Sequence, residues 1–275
     1  MSTSATTITL PRASAGGRVT QARVAVSEWT KLRSLRSTRW TLLATAVLTI
    51  GFGIIASAVT SSRWLTMSAA EKATFDPLKT SLLGVNFGLL AIGVLGVLMI
   101  TGEYSTGMVR STFAAVPKRL PVLWAKAGTY SLVALALAIP STLIAFFVSQ
   151  GLLSSHHIQI AFSHPGVPGA VLGSALYLTL VGLFGLGIGA ILRNTAAAIS
   201  AFVAIMFVIP PLIEILPSSL ANSIEQYLPS KAGGAIMQLG QHAHTLSPWA
   251  GLALFAGYAT VTVVGAAVLL VRRDV

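Results

Sequence analysis

Six stretches of nearly unbroken apolar sequence, at about residues 40–59, 81–100, 121–149, 170–192, 196–213 and 248–271, dictate what this chain can become. The hydrocarbon core of a bilayer is about 30 Å thick, and a helix rising about 1.5 Å per residue needs roughly 20 apolar residues to cross it. Each stretch meets or nearly meets that length. The only charge inside a stretch is Lys126, close to the start of the third and able to snorkel to the membrane surface; Glu214 lies just past the end of the fifth. Helices on the surface of a soluble protein keep one polar side, and these do not. The expected fold is an all-α polytopic membrane protein with six transmembrane helices, because helices satisfy their own backbone polar groups in lipid.

The cations orient the bundle. Arg12, Arg18, Arg23, Lys31, Arg33, Arg36 and Arg39 precede the first stretch, and Arg110, Lys118, Arg119 and Lys126 surround the connection after the second. Arg193 follows the fourth stretch, and Arg272 and Arg273 follow the sixth. Only Arg63, Lys72, Lys79 and Lys231 fall in the other connections, so 14 of the 18 cations share one side. The positive-inside rule makes that side cytoplasmic, with both termini inside, and an even number of crossings gives the same answer. The expected location is the plasma membrane. A net charge of +11 on a soluble protein would point to nucleic acid. Here the cations sit beside anionic headgroups and set topology, so no nucleic-acid partner is expected. Charged residues make up 9% and hydrophobic residues 54%, too few charges for an ordinary soluble surface. With no cysteine, disulfides, thiolate metal sites and thiol nucleophiles are excluded. Residues 1–20, rich in Ser, Thr, Ala and Gly, contain no apolar core of a cleavable leader and read as a disordered tail before a single transmembrane domain at 21–275.

The connections carry the functional signals. Over residues 21–39, Ala22, Ala25, Val26, Trp29 and Leu32 share one side of a helix, with Arg23, Ser27, Lys31 and Ser34 opposite. The pattern predicts an amphipathic helix lying on the cytoplasmic leaflet. Trp29 suits the interfacial belt, and Lys31, Arg33 and Arg36 reach toward phosphates. A basic tail that only sets topology is the simpler alternative.

The sharpest signal is the connection 101–121, which reads Thr-Gly-Glu-Tyr-Ser-Thr-Gly-Met-Val-Arg-Ser-Thr-Phe-Ala-Ala-Val-Pro-Lys-Arg-Leu-Pro. Gly102 and Gly107 are expected to break the helix and allow bends. Ser105 or Thr106 would cap a short helix with its body at 108–115, and Pro117 would end it. Such a helix, held at the membrane surface between two bends, is shaped to press into a groove on a soluble partner. A plain loop anchored by Lys118 and Arg119 fits the same residues.

The stretch Glu103-Tyr104-x-x-Gly107-x-x-Arg110 resembles the segment after the second span in permease subunits of type-2 ABC exporters. The opening Ser27-Glu-Trp-Thr-Lys-Leu-Arg-Ser-Leu-Arg-Ser-Thr-Arg-Trp40 is similar to that of actinobacterial members, and the six-span layout extends the resemblance over nearly the whole chain. In that family the loop forms a coupling helix that docks on a separate ATPase subunit, and the segment before the first span forms a connecting helix. The resemblance therefore implies a docking role for Glu103, Tyr104, Gly107 and Arg110. Met108 departs from the family, which often has Thr at that place. The resemblance also implies two permease copies, as homodimer or as heterodimer with a related permease, and a P-loop ATPase as partner.

The absences fit that class. No Gly-x-x-x-x-Gly-Lys-Ser/Thr occurs and no cytoplasmic segment could hold a nucleotide-binding domain, so if ATP drives this protein its hydrolysis belongs to another chain, and no catalytic or cofactor-binding residue is expected. No clustered His, Asp, Glu or Lys lies at bilayer depth, against a membrane-embedded enzyme and against an ion-coupled carrier. His156, His157, His164, His242 and His244 read as loop residues rather than metal ligands, since no carboxylate lies near to orient them. Asn86 is the one strongly polar uncharged residue in a span's body, apart from Ser and Thr. Gly182, Gly185, Gly187 and Gly189 predict close helix packing, within one subunit or at a dimer seam. The connection 214–247, divided by Pro217 and Pro229, predicts short amphipathic helices at about 221–228 and 232–241, either a lid or a plain surface cap. The apolar interior points to a hydrophobic or amphiphilic cargo. A structural or assembly protein of the membrane, with no coupling loop, is the rival function.

Overall fold

The computed structural model describes residues 20–109, 119–240 and 245–272. Among them every regular element is a helix: α1 Gln21–Ser34, α2 Arg36–Arg63, α3 Ala69–Ala73, α4 Pro77–Ser81, α5 Leu83–Ser105, α6 Arg119–Leu153, α7 Val167–Leu192, α8 Thr195–Val203, α9 Ile209–Glu214, α10 Ser218–Ile224, α11 Pro229–Gly234 and α12 Pro248–Arg272. Six helical segments are long and apolar enough to cross a membrane: Arg36–Arg63, Pro77–Ser105, Leu120–His156, Val167–Leu192, Thr195–Glu214 and Pro248–Arg272. The chain is a multi-pass membrane protein. The fifth span is α8 and α9 joined through a π-turn at Ala204–Val208, placed just before Pro210 and Pro211, whose missing N–H groups disturb the helical ladder.

Span four is the hub. Some 72% of its apolar window is buried, against 22% for spans one and five, so the latter two present most of their surface to the surroundings. Glycines set the contact. A side chain on Gly96 of span two would strike the Gly182 carbonyl, and one on Gly185 of span four would strike the Gly93 carbonyl. Gly187 abuts Thr262 of span six, Gly189 abuts Val97, and the Tyr130 ring of span three fills the space beside Gly182. All four glycines of the predicted set therefore serve packing within the subunit. Tyr130 Oη donates to the Ile92 carbonyl at 2.7 Å, which satisfies a buried hydroxyl.

Span one is built with its apolar residues outward. Its buried face is Thr38, Thr45, Thr49, Gly53 and Ser57, while Leu43, Val47 and Ile55 are exposed. In water that would be inverted, whereas in lipid small polar residues belong at the helix interface.

Several boundaries move. The helix before span one ends at Ser34 instead of 39, and a single extended residue, Leu35, turns the chain into α2. Arg36 therefore sits in the first turn of span one. Span three continues past residue 149 to Leu153, so Gln150 is a helical residue and not a loop one. Gln150 donates to Ser81 Oγ at 2.8 Å and accepts from the Ile160 N–H at 2.8 Å, fastening the far end of the bundle. The predicted helices at 221–228 and 232–241 appear earlier, as α10 and α11 with short 3₁₀ extensions, because Pro229 starts the second one at its own position. The tail 1–19 lies outside the described residues.

Candidate functional site

Four charged side chains meet at the basic end of the bundle, where spans one and three begin and spans two, four and six end. Lys31 and Glu28 come from α1, Glu103 from the last turn of α5, and Lys126 from the second turn of α6. Lys31 Nζ donates to Glu28 Oε1 at 2.7 Å and to Glu103 Oε1 at 2.9 Å. Lys126 Nζ donates to Glu103 Oε1 at 3.0 Å and to Glu28 Oε2 at 2.5 Å. Acids and bases alternate around a closed ring with zero net charge. Glu28 is 1% exposed and Lys126 4% exposed, so the ring is an interior feature and not surface decoration. Burial alone disfavours charged Lys31, but its hydrogen bonds to Glu103 and Glu28 and their charges outweigh that and hold its pKa above the ordinary lysine value.

Local sequence puts each member in place. Glu28 and Lys31 stand three apart in α1, so both reach the same side. Val24 and Leu32, one turn either side of Glu28, are buried with it, and Val24 packs on Val122 and Ala125 of α6. The Gln21 amide donates to the Pro121 carbonyl at 3.0 Å, which pins the start of α1 to the start of span three. Between these contacts the carboxylate of Glu28 is carried to a lysine 98 positions along the chain.

The end of α5 differs from expectation. Gly102 does not break the helix, which continues to Ser105. The break comes at Gly107, whose φ of 71° is a left-handed conformation that favours glycine. The hydroxyls of Ser105 and Thr106 turn back to the Gly102 carbonyl, at 3.0 and 2.8 Å, and close the end of α5. This keeps Glu103 and Tyr104 on a regular helix and fixes their directions. Arg193, at the turn between spans four and five, lies over the Tyr104 ring at 5.4 Å and points an N–H at the Leu269 carbonyl at 3.5 Å. Tyr104 thereby joins the loop's origin to spans four and six.

Of the sequence-predicted docking residues, Glu103, Tyr104 and Gly107 are thus adjacent at this end. Arg110, Pro117, Lys118 and most of the predicted helix body at 108–115 lie outside the described residues. Among the predicted interfacial residues, Lys31 turns inward to the ring, while Trp29, Arg33 and Arg36 are exposed. Lys126, which near the end of a span can snorkel outward, instead points inward to the two carboxylates. Glu28 was not singled out at all. A signal for it existed. Only seven acids occur in the chain, and those on the basic side are Glu28, Glu103 and Asp274, so a lysine inside an apolar run had few possible partners.

At the opposite end, Lys231 of α11 bonds Glu214 at 2.7 Å and Glu225 at 2.5 Å, which ties the short helices of residues 218–237 to the end of span five. Burial lowers and these two acids raise the Lys231 pKa, with a net shift upward. Beneath them lies a cleft of about 380 Å³ lined by Lys79, Asn86, Tyr177, Met206, Phe207 and Met237. Asn86 is exposed toward this space. No three metal-ligating side chains converge among the described residues, and His242 and His244 lie outside them. No protein-family model matches the chain, and no curated protein matches it.

Proposed function

We propose that this chain is the membrane-spanning subunit of an ATP-driven exporter of the type-2 ABC class, working with a separate P-loop ATPase. The observation that carries the proposal is the ion ring on Glu103. The motif residue expected to dock a motor is the one that binds the helix before span one and the start of span three in a single charged knot. A push on the loop after span two is then passed to three elements at once through short, buried contacts, with no slack side chain between them. Tyr104 under Arg193 extends the same linkage to the turn into span five. That no Gly-x-x-x-x-Gly-Lys-Ser/Thr occurs in the sequence supports assigning hydrolysis to a partner chain.

In this reading the basic end faces the cytoplasm at the plasma membrane, and both termini lie inside. α1 lies along the inner leaflet as the amphipathic connecting helix, and the loop from 106 onward forms the coupling helix. A second copy or a related permease covers the outward faces of spans one and five. The helices of 218–237 close the outer end above the 380 Å³ cleft, through which a hydrophobic or amphiphilic cargo passes. This chain supplies pathway walls and mechanical linkage, and no catalysis.

The test is co-purification. The tagged chain should retain a nucleotide-binding ATPase, and Glu103→Gln should lower cargo-stimulated hydrolysis while the chain still inserts. A chain that recovers no ATPase under conditions that keep membrane complexes intact would contradict the proposal.

A further inference from the structure

We propose that the groove between α1 and span three is a seat for one anionic glycerophospholipid, whose acyl chain lies along span three and whose headgroup meets Arg33. The groove measures about 480 Å³ and is walled by Val26 and Trp29 of α1 and by Trp124, Gly128 and Leu132 of α6, with Gln21 at its polar end. Its wall on α6 repeats every four residues, 124, 128 and 132, so it runs parallel to the span for about 12 Å at about 1.5 Å per residue. That direction selects the occupant. A peptide helix docking from the water could cover the mouth along α1, but only a chain already in the bilayer reaches Leu132.

The wall chemistry agrees. Trp29 and Trp124 are 46% and 47% exposed, on opposite sides of the groove. Paired indoles at a span's start mark the depth where headgroups give way to acyl chains. Gly128 forms the floor: a Cβ built there meets nothing within 4 Å. Beyond the ring, the described residues of α1 and of the first turn of α2 carry charge of one sign only. Glu28 and Glu103 are consumed by Lys31 and Lys126, so the ion ring leaves Arg23, Arg33, Arg36 and Arg39 without a compensating acid on α1 or the first turn of α2. Arg33 stands one turn beyond Trp29 on the same flank of α1, in position for the phosphate of a lipid whose chain passes that indole. The seat requires the groove to lie at a bilayer boundary and does not require an ATPase to dock, so it stands or falls separately from the transport proposal.

Native mass spectrometry of the purified full chain tests it, with phosphatidylglycerol and phosphatidylcholine of identical acyl chains as probes. The unaltered chain should retain phosphatidylglycerol in preference to phosphatidylcholine. Gly128→Leu, which fills the floor, should reduce retention of both lipids about tenfold. Arg33→Gln should lower retention of phosphatidylglycerol about fivefold more than that of phosphatidylcholine, whose choline cation already offsets the charge of its phosphate. Equal retention by wild type and Gly128→Leu overturns the seat, and an unchanged preference in Arg33→Gln overturns the headgroup contact. Should Gly128→Leu fail to accumulate, the unaltered chain still decides. Phosphatidylglycerol brominated on its acyl chain should quench the fluorescence that is lost in Trp124→Phe, at a lower mole fraction than brominated phosphatidylcholine. Equal quenching by the two overturns the proposal.

Discussion

Replacing Lys126 with methionine removes one corner of the ion ring and keeps the volume of the side chain. Glu28 and Glu103 then share Lys31 alone, and a net charge of −1 is left at a site where Glu28 is 1% exposed. Breaking a buried pair by removing one partner costs about 3–5 kcal/mol, mostly because the survivor is left uncompensated. Lys31 still bonds both carboxylates and its side chain is 28% exposed, which admits some water, so the low end applies: about 3 kcal/mol. The double replacement Lys126→Met with Glu28→Met restores neutrality and leaves the Lys31–Glu103 bond of 2.9 Å intact. It should therefore cost less than the sum of the two single replacements by about 2–3 kcal/mol. Thermal unfolding in a fixed detergent reads this out. At about 2–4 °C per kcal/mol for a chain of this size, Lys126→Met should lower the midpoint by about 6–12 °C. A drop under about 3 °C, or singles that add up in the double, would show that the ring behaves as an exposed ion pair and does not hold α1 to the spans.

Other perturbations follow from the same contacts. Gly185→Val should open the seam between spans two and four, since its side chain meets the Gly93 carbonyl and backbone cannot yield cheaply. A destabilisation of at least about 1–3 kcal/mol is expected in unfolding assays, against little effect for Gly257→Val, where space is open. The pH response of Lys31 has a defined sign. Its folded pKa lies above the ordinary 10.5, so its contribution is fully present below that value and is lost as pH climbs through the raised one. Spin-label distances between α1 and α6 should stay constant from neutral pH to about 10 and lengthen above; lengthening already at pH 9 would contradict the ring's geometry. Lys231→Met should expose residues 218–237 to added protease without lowering the global unfolding midpoint by more than a few degrees, because all three members of the cluster keep part of their side chains in solvent.

The spans were legible because length and apolarity alone satisfy the bilayer, with no need to know what each helix touches. The glycine seam was partly legible too: Gly185 and Gly189 at four-residue spacing announce close approach, while their partners Gly93 and Val97 depend on a pairing of spans that no local pattern records. Helix ends were read less well. Gly102 looked like a breaker, yet a glycine inside a packed helix costs only about 1 kcal/mol and tertiary contacts held the helix together. Gly107, at a positive φ, was the true stop. The ion ring was the largest gap. Lys126 looked like a snorkelling cation because its neighbours in sequence are apolar. Its real neighbours come from residues 28 and 103, brought near by packing of Val24 on Val122 and of α5 beside α6.

Single-cysteine labelling decides on which side of the membrane the loop after span two lies, since the chain has no cysteine of its own. Thr106→Cys places a thiol on an exposed residue at the end of α5, beside Gly107. A membrane-impermeant maleimide should reach it only in inside-out vesicles, and a short bifunctional crosslinker should join it to a nucleotide-binding subunit. Modification from the outer face of intact cells would put the loop where no cytoplasmic motor can reach it, and would contradict the account.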